Sequence, residues 1–451
     1  MPYTPEGPFL LDLFKALNEQ GIDYCVERNY EGLPYDLCGH DLDILIRRES
    51  IALAVDIIRK VAKKHNGKAT FPGTQISGLK WLICLGHDPN GTRWGVRIDL
   101  KPSVAYKGLE LGNLDAMLAS SRLQEMVRVQ DQDLSLLFGF LDSTFYGRPH
   151  SRNNYDVQLV AAYQRSPEKI RQAIVEIFGA RGELFTELLE TGQFANWEGI
   201  KKQLKSALLW RKIMKSPGSI FKNKFINFLI KCQRLGQRPG IMVAVLGLDG
   251  AGKSTLIKTV RPEIERLLHT ETEHRHWRPG FLPRLSKLAG REEKHLGPTR
   301  NPHNQPPSRP LPSLLRIMYY TLDYLLGFWI SIYPALLRNP KIIFFDRYFY
   351  DYFIDPARLL VNVPDVILHF FTWLVPRPDL IIILAPYPEI YQERKPELTL
   401  EELMRQAVRL KNIAKKLKNV VWIDTSSALH VSQEAILSIV LQTFGQRLHW
   451  Q

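Results

Sequence analysis

Leu10, Phe14 and Leu17 share one helical face near the start of the chain, which predicts an opening helix followed by an extended piece around 24–27. The period then falls to two. A strand is predicted over 41–46, where apolar and polar positions alternate, then a helix over about 50–64 and strands near 81–85 and 94–100. From about 111 to 235 the pattern is mostly helical, with turn signals at Gly147-Arg148-Pro149, Ser166-Pro167 and Ser216-Pro217-Gly218. Arg238-Pro239-Gly240 stops that pattern, and an apolar strand over 241–246 runs straight into a glycine-rich loop. Further apolar runs at 341–345, 379–384 and 420–424 predict strands of a second sheet. The order of elements predicts an α/β chain with a small α/β domain over 1–110, a helical region and basic linker over 111–238, and a parallel-sheet domain over 239–451. Within the last, 297–312 is rich in proline and polar residues and is expected to be a mobile insertion.

One apolar stretch, 314–337, is long enough to cross a bilayer, but it carries Arg316, Asp323 and Pro334. A buried helix is the expectation, and an interfacial helix is the alternative. No internal repeat is found.

The chain has 451 residues, of which 45% are hydrophobic and 24% charged, a balance that excludes a collagen-like, wholly disordered or multi-span membrane protein. Lys and Arg number 60 against 46 acids, a net charge of +14, and eleven of the basic residues fall between Asn196 and Gly240 against the single acid Glu198. Within that stretch, 220–231 interleaves lysines with aliphatic and aromatic residues, which suits a linker helix packed between domains or a helix lying on anionic lipid. Residues 201–238 are therefore a candidate for an anionic membrane surface. No nucleic-acid-binding motif accompanies them, so nucleic acid is not an expected partner. The four cysteines show neither a CxxC pair nor zinc-ligand spacing, and the first residues lack the pattern of an export signal. A cytoplasmic protein is expected, with peripheral placement at the inner membrane face left open.

Candidate chemistry centres on Gly247-Leu248-Asp249-Gly250-Ala251-Gly252-Lys253-Ser254, which satisfies GxxxxGK[ST] between the strand MVAVL and a helix that begins at Thr255. The glycines let backbone N–H groups turn toward phosphate oxygens, Lys253 neutralises developing charge, and the Ser254 hydroxyl ligates Mg²⁺. The loop through Thr255 is the expected ATP site. No NKxD element for guanine and no LSGGQ element is present. After the strand KIIFF comes Asp346-Arg347-Tyr348, where a carboxylate can organise the metal and the arginine can grip an acceptor phosphate.

These residues resemble the thymidylate kinase family, over somewhat less than half the chain. The form G-x-[DE]-G-x-G-K-[ST] is met by Gly247, Asp249, Gly250, Gly252, Lys253 and Ser254, and a DR-aromatic element by Asp346, Arg347 and Tyr348. The resemblance implies a nucleoside-monophosphate-kinase-like domain using ATP and Mg²⁺, with Asp249 facing the acceptor's sugar hydroxyl and Arg347 the acceptor's phosphate. Tyr391-Gln392-Glu393-Arg394-Lys395 resembles the passage into the lid, which makes Arg394 the lid candidate, and Thr425-Ser426-Ser427 would lie near the donor base. Arg278-Pro279-Gly280 is similar to the family's Arg-Glu-Pro-Gly element with one residue missing. Leu246 stands where thymidylate kinases usually carry Glu, so the acceptor need not be dTMP. Chains of this type with a DRY element and such an insertion are similar to those encoded for bacterial surface-polysaccharide assembly.

A second constellation lies near the N-terminus. Asp41 and Asp43 share one strand face, and Asp99 follows in a second alternating strand beside Arg97. Three acids on neighbouring strands can hold two Mg²⁺ ions. The arrangement resembles the polymerase-beta-like nucleotidyltransferase superfamily over roughly 8–110, which implies Asp41, Asp43 and Asp99 as metal ligands. Arg28-Asn29-Tyr30-Glu31-Gly32 stands where that superfamily usually has a Gly-Ser turn, so beside an active enzyme a degenerate or acceptor-binding relative and unrelated solvated acids stay open.

The leading expectation is an ATP-dependent phosphotransferase acting on a nucleotide-like or sugar-phosphate acceptor through Lys253, Asp346, Arg347 and Arg394. The alternatives are a metal-dependent nucleotidyltransferase acting through the first domain and an ATP-gated switch in a regulatory assembly. A homodimer is compatible with each.

Overall fold

The structure, a computed structural model, describes residues 4–70, 79–106, 109–147, 155–215, 225, 229, 238–285, 309–338, 340–387, 390–391 and 399–448. The chain divides into two compact units, Met1–Gln233 with Leu267–His269 and His449–Gln451, and Arg234–Arg266 with Thr270–Leu448.

The first unit opens with α1 (Gly7–Glu19), whose Phe9, Leu10, Leu13, Phe14 and Leu17 are all buried, as their spacing requires. Strands β1 (Tyr24–Val26) and β2 (Leu42–Ile46) follow, then α2 (Ile51–Lys64) and strands β3 (Lys68–Thr70), β4 (Lys80–His87) and β5 (Arg93–Lys101). A two-stranded ladder of β6 (Ala105–Tyr106) and β7 (Leu109–Glu110), helix α3 (Leu114–Ala119), and strands β8 (Arg122–Gln124) and β9 (Val127–Val129) complete this part. Seven strands form one mixed sheet in the order β3-β4-β5-β2-β1-β9-β8. Strand β2 runs parallel to β5 and antiparallel to β1, with Asp43 directly beside Asp99.

The two sheet faces bury different partners. Leu42, Ile44 and Ile46 join the core of α1 and α2, whereas Leu45 and Cys25 join a second core built from helices. Those helices are α4 (Gln132–Phe145), α5 (Tyr155–Arg165), α6 (Pro167–Phe178), α7 (Glu183–Thr191) and α8 (Trp197–Lys215). Asp43, at i−2 from Leu45, therefore lies on the helix-covered face. In the described part of the basic stretch, Lys205 donates to the Phe145 carbonyl at 2.9 Å and lies over the Tyr106 and Phe145 rings, and Arg211 donates to the Glu176 carbonyl at 2.5 Å. Most of 216–237 lies outside the described residues.

In the second unit β10 (Ile241–Leu246) leads through the glycine-rich loop into α9 (Lys253–Leu268) and β11 (Thr272–His276). Helix α10 (Pro310–Gly327), a wide turn at Phe328–Ile332 and α11 (Tyr333–Arg338) precede β12 (Ile342–Asp346). Then come α12 (Asp351–Ile354), α13 (Asp365–Leu374), β13 (Leu380–Leu384), α14 (Leu400–Ala414), β14 (Val420–Ile423) and α15 (Leu429–Arg447). All five strands are parallel, in the order β11-β12-β10-β13-β14. The three inner strands are buried along their whole length, which explains their unbroken apolar sequences. The Nη2 atom of Arg238, at the entrance to β10, donates to both carboxylate oxygens of Asp379 at 2.9 Å.

The apolar stretch 314–337 forms α10, the wide turn and α11, and among the described residues no helix is long and apolar enough to cross a membrane. The reason for its charge is local. Asp323 is fully buried, and it accepts from Arg278 at 2.9 Å and from the backbone N–H groups of Gly280 and Leu282. The expected mobile insertion lies mainly outside the described residues, but Pro310 to Pro312 form the first turn of α10, where proline is accommodated because no intrahelical N–H is needed.

Candidate functional site

Strand β10 ends at Leu246, and the chain must turn at once to start α9. Gly247 has φ of 150°, and a Cβ there would lie 2.7 Å from the Leu384 carbonyl oxygen, so only glycine fits beside β13. Gly250 and Gly252 both sit at φ of 87°, which curls the loop before Lys253 begins the helix. Lys253 is buried and donates to the carbonyls of Gly247 at 2.9 Å and Leu248 at 3.0 Å. Burial, and next the neighbouring Arg347 guanidinium, hold its amine down at about 8. Ser254 and Thr255 are exposed on the first turn of the helix, and Ala251 is buried with its carbonyl 3.2 Å from the Thr425 hydroxyl.

Opposite the loop, at the carboxyl end of β12, Asp346 accepts a short hydrogen bond from the Ser254 hydroxyl through Oδ2. Its other oxygen, Oδ1, is buried with no hydrogen-bond partner among the described residues. A buried carboxylate oxygen facing no donor beside a serine hydroxyl fits a divalent cation, so these residues are compatible with Mg²⁺.

Arg347 has φ of 74°, an uncommon backbone region for a residue with a side chain. Its guanidinium donates to Asp249 in the loop and, at 3.0 Å, to Asp351 on α12. Arg358 donates to the second oxygen of Asp249. Asp249, Arg347, Asp351 and Arg358 thus form one charged network. A cleft of about 90 Å³ opens beside it, lined by His276, Trp277, Arg347, Asp351, Asp355, Arg358 and Leu359. Asp351 is buried, and burial pushes its carboxyl upward against the opposing effect of Arg347 and Lys253.

Most of the residues expected at a phosphate site therefore converge at the carboxyl ends of β10 and β12. Arg394 lies outside the described residues. Asp351 and Arg358 escaped the sequence reading. Asp351 had a legible signal, since it follows Arg347 at helical i+4 spacing. Arg358 had none, because it sits in an irregular segment and reaches Asp249 only through the fold.

The acids of the first unit meet cations. Asp43 accepts from Arg28 at 2.7 Å and pairs with Lys101 at 2.8 Å, and Lys101 also donates to Glu27 at 2.7 Å. Burial would raise the Asp43 carboxyl, but Lys101 and Arg28 overcome it and hold the group well below the usual range. Asp99 accepts from Arg97 at 3.0 Å, and Asp41, partly exposed, lies 3.6 Å from the same guanidinium. These carboxylates are neutralised by side chains of the same unit. Among the described residues no group of three or more His, Cys, Asp or Glu side chains is arranged to hold a metal ion. Two Mg²⁺ ions do not fit Asp41, Asp43 and Asp99 as they stand. A cleft of about 420 Å³ adjoins them, with Arg28, Tyr30, His40, Gln132, Tyr155 and Arg165 among its walls.

No family model and no curated protein matches the chain. Among solved structures, the thymidylate kinase from Ehrlichia chaffeensis is similar to it at 15% identity over 45% of this chain and 98% of that one, with a TM-score of 0.32.

Proposed function

We propose that the second unit is an ATP-dependent phosphotransferase. The observation that carries this reading is the facing pair of Ser254 and Asp346, one oxygen of the aspartate left open, beside a buried lysine in a loop of inward-turned backbone. Gly247 to Thr255 would cradle the triphosphate with backbone N–H groups, and α9 directs its positive end at the same place. Ser254 and Asp346 would hold Mg²⁺, whose role when bound is to neutralise charge on the transferring phosphoryl group. Lys253 leaves the carbonyls of Gly247 and Leu248 to meet phosphate oxygens, and it does so as the ammonium ion. Arg347 and Arg358 border the acceptor side. The acceptor class at this level is nucleotide-like or sugar-like.

The nucleotidyltransferase reading of the first unit finds no comparable support, because Lys101, Arg28 and Arg97 occupy the carboxylates it needs.

Purified protein incubated in Mg²⁺ and a metabolite extract with γ-labelled or α-labelled ATP tests the assignment, alongside Lys253→Ala and the double variant Asp41→Ala/Asp43→Ala. Transfer of γ label alone, lost in Lys253→Ala and kept in the double variant, is the expected result. No transfer of γ label, or γ transfer undiminished in Lys253→Ala, overturns it, whereas transfer of α label lost in the double variant would assign nucleotidyl transfer to the first unit.

A further inference from the structure

Two residues that line the small cleft each carry a buried polar atom with no hydrogen-bond partner among the described residues. One is Oδ1 of Asp351, an acceptor, and the other is Nε1 of Trp277, a donor, and both residues line the same 90 Å³ space. Asp351 is only 3% exposed, and its second oxygen is held by Arg347 at 3.0 Å, so the carboxylate cannot turn away to water. Buried polar atoms left open are rare and call for a partner. One group that both donates and accepts would satisfy the pair, and a hydroxyl is such a group.

The charge of the cleft points the same way. Its two guanidiniums are already committed, Arg347 to Asp249 and Asp351, and Arg358 to Asp249. Asp355 adds a further carboxylate to the lining. A doubly charged phosphomonoester would meet no excess of positive charge here, and it would have to pull both arginines from Asp249 to be bound.

We infer that Asp351 is the catalytic base of this site and that the acceptor is an uncharged, hydroxyl-bearing molecule of the sugar, polyol or nucleoside type. This rests on the phosphotransferase reading above. The acceptor hydroxyl donates to Asp351 Oδ1 and accepts from Trp277 Nε1. Its oxygen attacks the γ-phosphorus of ATP, forming the new O–P bond as the bond from the γ-phosphorus to the bridging oxygen breaks. The hydroxyl proton passes to Asp351, the electron pair of the broken bond leaves on ADP, and the proton is then released to solvent. Arg347 donates both to Asp351 and to Asp249 of the loop, which places the base beside the phosphate loop.

The test uses the full chain with γ-labelled Mg·ATP and a cell metabolite extract split by anion exchange into an uncharged flow-through and an anionic eluate. Label is expected in the flow-through as a phosphomonoester. With the labelled compound as acceptor, Asp351→Asn should lower kcat by about a thousandfold while KM and Mg·ATP affinity move less than about threefold. Trp277→Phe should chiefly raise KM. Label confined to the anionic eluate, or Asp351→Asn retaining turnover within about tenfold, overturns the inference and leaves the phosphotransferase standing. Label in neither fraction overturns both. The fractionation uses wild-type protein alone, so a poorly folded Asp351 variant does not remove the test.

Discussion

Arg358 donates to the Oδ2 atom of Asp249, tying an irregular segment to the phosphate loop across 109 residues of sequence. The other oxygen of the same carboxylate takes Arg347. One loop acid therefore holds both arginines beside the small cleft.

This asymmetry predicts unequal costs. Asp249→Ala takes away the carboxylate shared by Arg347 and Arg358, leaves Arg347 to Asp351 alone and Arg358 without its ion-pair partner, and should lower the unfolding free energy by about 3 kcal/mol. Arg358→Ala leaves Asp249 still paired with Arg347 and should cost about 1 kcal/mol or less, since Arg358 is partly exposed. Urea denaturation of the two variants measures the difference, and equal costs would show that Asp249 does not organise the pair.

The lowered amine of Lys253 gives the nucleotide site a pH dependence. Phosphate binding requires the ammonium form, so Mg·ATP affinity should fall as pH rises past about 8, with proton uptake on binding near that pH. Calorimetry in buffers of different ionisation enthalpy reads the uptake directly. The stability effect has the opposite sense. Between about 8 and the ordinary 10.5 the unfolded chain holds this proton and the folded chain does not, so this group's contribution to stability rises with pH across that window.

Asp323 supports the turn at 278–282 rather than the chemistry. Asp323→Ala leaves the buried Arg278 guanidinium without a counter-ion, its bond to the Leu282 carbonyl remaining, and two backbone N–H groups unpaired, and should cost about 3–5 kcal/mol. The double variant Asp323→Leu/Arg278→Met removes both charges and should recover a large part of that loss, as a double-mutant cycle would show. Failure of the second change to restore stability would count against the ion pair as the cause.

In the first unit, Lys101→Met should leave Glu27 and Asp43 as buried acids in contact with too little positive charge, at a cost of about 3 kcal/mol near neutral pH. Asp43 is held below its ordinary 3.8 in the folded state, so its contribution to stability is present above about pH 4 and is lost as pH falls toward the folded value. Lys101→Met should therefore lose stability at neutral pH and show a weaker acid dependence than wild type. Tryptophan fluorescence across urea series at about pH 7, about pH 4 and about pH 2 separates the two behaviours, and parallel acid curves would sink the explanation.

The individual strands and helices were largely legible from periodicity, because burial on one or both faces leaves a direct imprint on the residue pattern. Strand β10 and the loop after it were the plainest case, since a buried parallel strand reads as an apolar run and a tight phosphate-binding turn demands glycine. The chemical type of Lys253, Ser254 and Asp346 was legible for the same reason: each follows a strand or loop whose geometry is locally determined.

Which charges meet was not legible. Asp43 read from sequence as an open ligand, and the fold places Arg28 and Lys101 on it. Asp323 read as an argument against a membrane span, and the fold makes it the anchor of Arg278. By itself the sequence determined the α/β character, the glycine-rich loop and the residue types that flank it, because those depend on neighbours within a few positions. Only the tertiary structure decided the pairing of Asp249 with Arg358 and the open oxygen of Asp351, because electrostatic contacts depend on distances that the chain closes over a hundred residues or more.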